Sequence, residues 1–158
     1  MSQKNISNGL KVFSAFVAFV GAVFFFWYVP TLIYEVAYFE DLDYLRWPGT
    51  IGMWVIAFFC YVALAEFWKI CTNIGNDNSF SMANAKSMAR IGLCGLAVFI
   101  LILGGSIFVA IINMMSAAIF FIIFFAEAVA IGMIVICFAL SKLIENAAKI
   151  KEENDLTI

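Results

Sequence analysis

The residues from Ile91 to Leu140 form one nearly continuous apolar stretch that carries a single charged side chain, Glu127. A helix needs roughly 20 apolar residues, at about 1.5 Å of rise each, to cross the hydrocarbon core of a bilayer. The stretch is therefore long enough for two crossings, and no water-soluble fold could bury it. This feature predicts an all-α membrane protein.

Two further apolar runs lie before this stretch, so the chain is expected to cross the membrane four times as a small bundle of helices. We predict a single membrane domain over residues 1–158, with spans at about 10–29, 49–70, 91–112 and 117–140. Only Asn113–Ser116 separates the last two spans. A connection this short predicts a tight hairpin, so the third and fourth helices should be antiparallel neighbours.

The polar segments between the spans differ in character. The outer loop, residues 30–48, is acidic and rich in Tyr and Trp, which favour the headgroup level, and we expect a short helix or turn on the membrane surface. The inner loop, residues 71–90, is rich in Asn and Ser, and Ser79 or Ser81 can cap a helix that starts near Met82. The tail, residues 141–158, is predicted to begin as a helix continuing the fourth span.

The basic residues predict the orientation of the protein. Of the nine Lys and Arg residues, only Arg46 falls in the 30–48 loop, and none falls in the short turn after the third span. The others lie in the N-terminal segment, the inner loop and the tail. Because cytoplasmic segments carry the excess of Lys and Arg, both termini are expected in the cytoplasm.

The composition argues against several classes of function. The chain has no histidine, the commonest metal ligand and the commonest general base near neutral pH. It also contains no G-x-S-x-G, H-E-x-x-H or P-loop motif, and its four cysteines form no C-x-x-C pair. The inner segments carry too few basic residues for a nucleic-acid-binding patch. We therefore expect a non-enzymatic protein with no cofactor, no metal and no direct contact with nucleic acid.

Small residues at helical spacing indicate where helices can approach closely. The candidate positions are Ser14, Ala18, Ala22, Gly92, Gly95, Ala126 and Ala130. Helix faces with such small residues can also pack against a second copy of the chain, so an oligomer is compatible with the sequence.

Two acids lie within predicted spans. Glu127 is near the middle of the fourth span, where burial disfavours the charged form of its carboxyl group. One interpretation is a proton or cation site, as intramembrane acids often are. The other is a structural hydrogen bond to a backbone carbonyl or to Tyr61, Ser106 or Asn113. Glu66, near the end of the second span, is expected to pair with Lys69 three residues later.

The predicted cytoplasmic face offers a surface for interaction. Lys86 and Arg90, four residues apart, should lie together where the third helix enters the membrane. In the tail, Leu143, Ala147 and Ile150 form an apolar stripe at helical spacing. Such a stripe can occupy a groove of a partner protein, lie on lipid headgroups, or pack on the inner loop of its own chain.

Four sequence patterns carry a family resemblance: AEFWKI at the end of the second span, NDNSF-S in the inner loop, SMARIG at the start of the third span and IKEENDLTI at the C-terminus. The chain resembles a family of small bacterial four-span membrane proteins classed as a domain of unknown function. The most specific positions are Asn78, Phe80, Ser81, Glu153, Asn154, Asp155 and Leu156.

The resemblance implies a multi-pass protein of the bacterial cytoplasmic membrane. Genes of this family often lie beside a small Cro/C1-type helix-turn-helix regulator, which suggests the partner. The hypothesis is a regulatory membrane protein that binds such a cytoplasmic regulator. The alternative is a small proton-coupled transporter or channel that uses Glu127.

Overall fold

The computed structural model describes residues 2–39 and 42–155, and this part of the chain contains helices and turns but no β-strand. The helices are α1 (Gln3–Val23), α2 (Val29–Phe39), α3 (Arg46–Gly75), α4 (Met82–Ile111) and α5 (Ala117–Asp155). A π-helical turn, Phe24–Tyr28, joins α1 to α2, and a 3₁₀ turn, Asp43–Leu45, precedes α3.

Four helical segments are long and apolar enough to cross a bilayer, which confirms the four predicted spans. They cover Gln3–Tyr38, Asp43–Gly75, Met82–Ile111 and Ala117–Asn154. The helices are longer than the predicted spans: α5 alone has 39 residues. At about 1.5 Å per residue it is almost twice as long as the ~30 Å hydrocarbon core. The helices therefore continue into the polar segments instead of ending at the membrane surface.

The first helical segment differs from the prediction, because it runs through Pro30 to Phe39 where an outer loop was expected to begin. Proline removes one backbone donor and leaves nearby carbonyls without their usual partners. Two side chains occupy carbonyls here: Trp54 Nε1 donates to the Phe25 carbonyl at 3.2 Å, and Thr31 Oγ1 donates to the Trp27 carbonyl at 2.8 Å. In the π-helical turn the Val29 N–H donates to the Phe24 carbonyl, so Pro30 leaves the next carbonyl, of Phe25, without a backbone donor, and Trp54 supplies that donor.

The four spans are arranged as an open row in chain order. The first segment packs on α3, α3 packs on α4, and α4 packs on α5. Among the described residues, no Cα atoms lie within 8 Å of each other between α1 and α4, between α1 and α5, or between α3 and α5. The small bundle is therefore not closed. Helix α5 contacts α4, as the short hairpin between them requires, and contacts no other helix among the described residues.

Small residues make the closest helix contacts, as predicted for several positions. A Cβ atom added at Gly92 would lie 3.3 Å from Cβ of Cys137, and one added at Gly95 would lie 3.2 Å from Cγ1 of Ile134. On α1, Ser14 is buried, and the Ala18 carbonyl accepts a 2.8 Å hydrogen bond from Tyr61. These contacts hold α4 against α5, and α1 against α3.

Along the helix axes, buried residues are concentrated at one end of the helices. We call this the proximal end; it carries the start of α1, the 76–81 connection and residues 141–155 of α5. Buried residues there are Ser7, Glu66, Ile70, Cys71, Asn84, Ala85, Ser87 and Ala148. The apolar middle of the spans instead exposes large side chains such as Phe19, Phe58 and Phe125, as expected for surfaces that face lipid. The proximal end is thus the part of the molecule that is packed like a water-soluble core.

Candidate functional site: the proximal end

Asn84 is the residue around which the 76–81 connection is built. Its side chain, only 1% exposed, accepts a 2.6 Å hydrogen bond from Asn73 Nδ2. Its own Nδ2 donates to the carbonyls of Asn78 at 3.2 Å and Ser79 at 2.9 Å. Its backbone N–H donates to Oγ of Ser81, which caps α4 as predicted. One amide side chain therefore connects the end of α3, the connection and the start of α4.

A second contact fixes the N-terminal helix to the same region. Ser7, buried near the start of α1, donates a 2.5 Å hydrogen bond to the carbonyl of Cys71. A Cβ atom added at Gly75 would lie 2.8 Å from Oγ of Ser7, so only glycine fits at the end of α3 without a rearrangement. Farther along, Ser79 Oγ donates to Oε1 of Gln3 at 3.2 Å. The start of α1 thus packs directly on the connection.

Glu66, near the end of the second span, also belongs to the proximal end, and it joins α3 to α4. One oxygen, Oε1, accepts from Lys69 Nζ at 2.6 Å and from Arg90 Nη1 at 3.3 Å. Glu66 is 6% exposed, whereas both cations reach solvent. The pair with Lys69 was predicted; Arg90, on α4, adds a cross-helix ion pair. A carboxylate at this depth is compatible with burial because it is paired.

The tail packs on the start of α4 through a face that differs from the predicted apolar stripe. Ser141 Oγ donates to the Ala85 carbonyl at 2.8 Å, and Ala148 is buried. Leu143 and Ile150, two members of the predicted stripe, are instead exposed. The tail therefore contacts its own chain and still presents an apolar stripe to the surroundings.

The connection and the tail together form a shallow surface pocket of about 270 Å³. Its lining residues are Asn78, Phe80, Ser81, Met82, Ala148, Lys151 and Glu152. Phe80 is 59% exposed, although it is a large aromatic residue outside the apolar spans. The structure therefore brings three predicted interaction residues, Asn78, Phe80 and Ser81, into one site with the tail.

The other predicted interaction residues are distributed around this site. Lys86 is exposed on α4, and Arg90 is engaged with Glu66. Glu153 and Asn154 are exposed on the last turn of α5, which ends at Asp155. Leu156 lies outside the described residues.

Glu127 is separate from the proximal end, and the hydrogen bonds predicted for it are not present. Both of its carboxyl oxygens are buried and have no hydrogen-bond partner among the described residues. Tyr61 and Ser106 use their hydroxyl groups on the carbonyls of Ala18 and Leu103. Asn113 is exposed in the hairpin turn with φ = 57°. Two of the three side chains named as partners are thus engaged elsewhere, and the third lies in the turn.

Sequence reasoning missed Asn84, although a signal for it exists. Asn84, Ser87, Ile91 and Cys94 follow the i, i+3, i+7, i+10 spacing of one helix face. The last two continue into the apolar span, so the first two belong to the packed face. Polar composition alone suggested a solvated loop and concealed this pattern.

Comparison with known proteins places the chain in a family. The family described as "Protein of unknown function (DUF2975)" matches residues 31–158. The chain is also 26% identical over 127 residues to the "Uncharacterized membrane protein YoaS" of Bacillus subtilis strain 168, covering 79% of each chain. No solved structure matches. The four apolar helices and this membrane-protein relative agree with the family match, and the chain belongs to the DUF2975 family of membrane proteins of unknown function.

Proposed function

We propose that this membrane protein is a non-enzymatic regulatory protein whose proximal end binds a small cytoplasmic protein. The partner proposed from the family resemblance is a helix-turn-helix regulator, and the membrane is the bacterial cytoplasmic membrane. The observation that carries the proposal is the pocket between Phe80 and the tail. An exposed aromatic side chain beside a pocket is a common anchor for a partner protein.

The geometry around Phe80 favours binding without a large rearrangement. Asn84 holds the carbonyls on the N-terminal side of Phe80, and Ser81 caps the helix on its other side. The backbone that presents the aromatic ring is therefore ordered before a partner arrives, which lowers the entropic cost of association. Lys151 and Glu152 at the rim add charges of both signs, which suits a protein surface better than a nucleic acid.

The proposal requires the proximal end to face the cytoplasm, as the basic residues predict. Exposed side chains are available for a test at Asn76 on the proximal end and Tyr44 at the opposite end. In a background without the native cysteines, Asn76→Cys should react with a membrane-impermeant maleimide only after the cells are opened. Tyr44→Cys should react in intact cells. Labelling of both positions from the same side would reject the four-span orientation.

Replacing Phe80 by serine should reduce partner capture at least tenfold, because the variant removes the only large aromatic anchor that lines the pocket. The measurement is co-purification of the co-expressed helix-turn-helix regulator with the detergent-solubilised full chain. Ile6→Ser is the matched control, since Ile6 is an exposed apolar residue of the same end that does not line the pocket. The proposal fails if the wild-type chain retains no regulator, or if both variants retain as much as the wild type.

A second candidate function is proton-coupled transport through Glu127. It is supported by the two buried carboxyl oxygens that lack hydrogen-bond partners, because a carboxyl group that is not needed for structure remains available to exchange a proton. Proton exchange and a purely structural role of this carboxyl group predict different effects for Glu127→Gln and Glu127→Leu.

A further inference from the structure

The tail carries an apolar stripe that its own chain does not cover. Leu143 is 64% exposed and Ile150 is 60% exposed, although both follow Leu140, where the apolar sequence of α5 ends. At about 100° per residue, these two side chains leave the helix roughly 140–180° around from Ser141, which contacts α4, and from the buried Ala148. The stripe therefore lies on the face of the tail opposite to the one that packs on the chain.

The stripe belongs to a longer repeat that begins within the apolar sequence of α5. Its members follow one another at alternating steps of four and three residues: Ile136, Leu140, Leu143, Ala147 and Ile150. The four large members are all exposed. Apolar residues that recur every 3.5 positions form the seam along which two helices wind around each other. We call these five residues the α5 seam.

The membrane cannot cover the whole of the α5 seam. From Leu140 to Ile150 the helix advances about 15 Å, at 1.5 Å of rise per residue. The headgroup layer extends only about 5–7 Å beyond the hydrocarbon core on each side. Because α5 is one continuous helix from Ala117 to Asp155, it carries Ile150 past this layer and into water.

A soluble partner in the pocket beside Phe80 would not cover the α5 seam either. The tail contributes Ala148, Lys151 and Glu152 to that pocket, and no member of the seam lines it. A soluble protein also cannot follow the seam into the apolar sequence at Ile136. One occupant for the whole seam must cross the membrane and continue into water as a helix at the same level. The α5 helix of a second copy meets both conditions.

The membrane also determines how two copies would meet. Two copies inserted in one membrane have the same orientation, so their α5 helices are parallel. A twofold axis along the membrane normal then places each residue of the α5 seam beside the same residue of the other copy. Because the membrane already fixes both orientations, association loses less rotational freedom than it would in solution, and a single helix seam can suffice.

The polar residues beside the seam are complementary between two such copies. Asn146 and Lys151 flank the α5 seam on its two sides and are exposed. In a parallel pair, their separation of five residues places Asn146 of one copy beside Lys151 of the other, where the amide carbonyl can accept a hydrogen bond from the ammonium group. Lys142 and Lys149 pair with Glu145 and lie on the side of the helix away from the seam.

We propose that the α5 seam is a homodimer interface, along which two parallel copies of α5 pack from the membrane into the tail. The pockets beside Phe80 lie on another face of the tail and stay accessible in this dimer. The inference goes beyond the proposed partner and does not depend on it.

Cysteine cross-linking of the full chain in native membranes tests the interface. In a background without the native cysteines, Leu143→Cys and Ile150→Cys should each form at least fivefold more disulfide-linked dimer under copper phenanthroline than Lys142→Cys and Lys149→Cys. The two lysine positions are exposed on the same turns of the helix and serve as matched controls. Equal cross-linking at all four positions would mean random collision and would overturn the proposal, as would the absence of any dimer.

A second comparison keeps the native cysteines and measures energy transfer between donor- and acceptor-labelled full chains in liposomes. The double variant Leu143→Asn, Ile150→Asn should need at least tenfold more protein per lipid to reach half-maximal transfer. Both native side chains are exposed in the single copy, so the variant removes no buried contact of the fold. The double variant Lys142→Asn, Lys149→Asn should behave as the wild type. Equal behaviour of the two double variants would contradict the seam.

The remaining outcomes concern other occupants of the α5 seam. Native mass spectrometry of the wild-type chain released from nanodiscs needs no substitution and should show two copies in each complex; a single copy would refute the dimer. Cross-links from Ile150→Cys to the co-expressed regulator in place of a second copy would make the regulator the occupant. Quenching of a fluorophore at that cysteine by a headgroup-attached quencher would make the membrane the occupant. Either result would also overturn the proposal.

Discussion

Replacing Asn84 by leucine is expected to lower the free energy of unfolding by about 3 kcal/mol or more. The substitution removes all three hydrogen bonds of a side chain that is 1% exposed. It also leaves the Asn73 amide and two carbonyls, of Asn78 and Ser79, without the partner that satisfies them. A group that is shielded from water and loses its partner costs about 1–3 kcal/mol, and leucine, although it branches like asparagine, has no polar atom to satisfy these groups.

The measurement is thermal or denaturant unfolding in detergent, together with hydrogen exchange of the 76–81 amides. Exchange should accelerate first in that connection, because Asn84 binds its carbonyls directly. Asn76→Leu is the control, since Asn76 lies in the same connection but is exposed. If both leucine variants have wild-type stability and exchange, Asn84 does not organise the proximal end. The Asn84 variant should also lose the partner, because the backbone around Phe80 would no longer be ordered.

The spans were predictable because length and apolarity decide them. From Ile91 to Leu140, Glu127 is the only charge in an otherwise apolar sequence, and a bilayer is the only medium that accepts such a segment. The ends of the helices were not predictable in the same way. Proline normally ends a helix, and nothing local indicates that Trp54, on another helix, will bind the Phe25 carbonyl beside Pro30. That contact depends on how α1 packs against α3.

The candidate site was predictable in its members and not in its framework. Asn78, Phe80 and Ser81 were identified from the family resemblance, and the structure places them in one pocket with the tail. The framework depends on Asn84 and on Ser7, whose partner Cys71 is far away in sequence. Asn and Ser are common in solvated turns, so composition favours an exposed loop. Only the packing of α1, α3 and α4 shows which of these polar residues are buried.

The distribution of burial also explains how a protein with few apolar core residues can hold a defined shape. In lipid, apolar side chains gain little by packing on each other, so helix association depends on close backbone approach and on hydrogen bonds. Gly92 and Gly95 supply the close approach between α4 and α5. Asn84, Ser7 and the Glu66 ion pairs supply the hydrogen bonds at the proximal end, outside the apolar middle of the spans. Interaction sites at the proximal end would thus be attached to a part of the molecule that buried hydrogen bonds hold together.

Glu127→Leu is expected to stabilise the protein by about 1–3 kcal/mol, which is opposite to the effect of removing a structural hydrogen bond. Both carboxyl oxygens are buried without a hydrogen-bond partner among the described residues, so the substitution removes a desolvated polar group and breaks no bond. Glu127→Gln should leave stability close to that of the wild type, because an amide remains equally desolvated. Thermal unfolding in detergent measures both effects, and Ala128→Leu controls for added apolar surface on the same helix. A destabilised leucine variant beside an unchanged glutamine variant would show that the carboxyl group has a structural partner after all.

The same two variants decide whether the buried Glu127 carboxyl group, which lowers the stability of the protein, serves a function. A proton site requires an ionisable group, so both Glu127→Gln and Glu127→Leu should reduce proton flux in proteoliposomes to the level of protein-free vesicles. Glutamine preserves shape and polarity, so a loss of flux with unchanged stability would identify proton exchange as the role of this carboxyl group. Loss of activity in a leucine variant that is more stable than the wild type is the trade-off expected of a functional residue. If the wild-type protein conducts no protons above the vesicle background, the transport candidate should be abandoned, and partner binding at the proximal end remains as the proposed function.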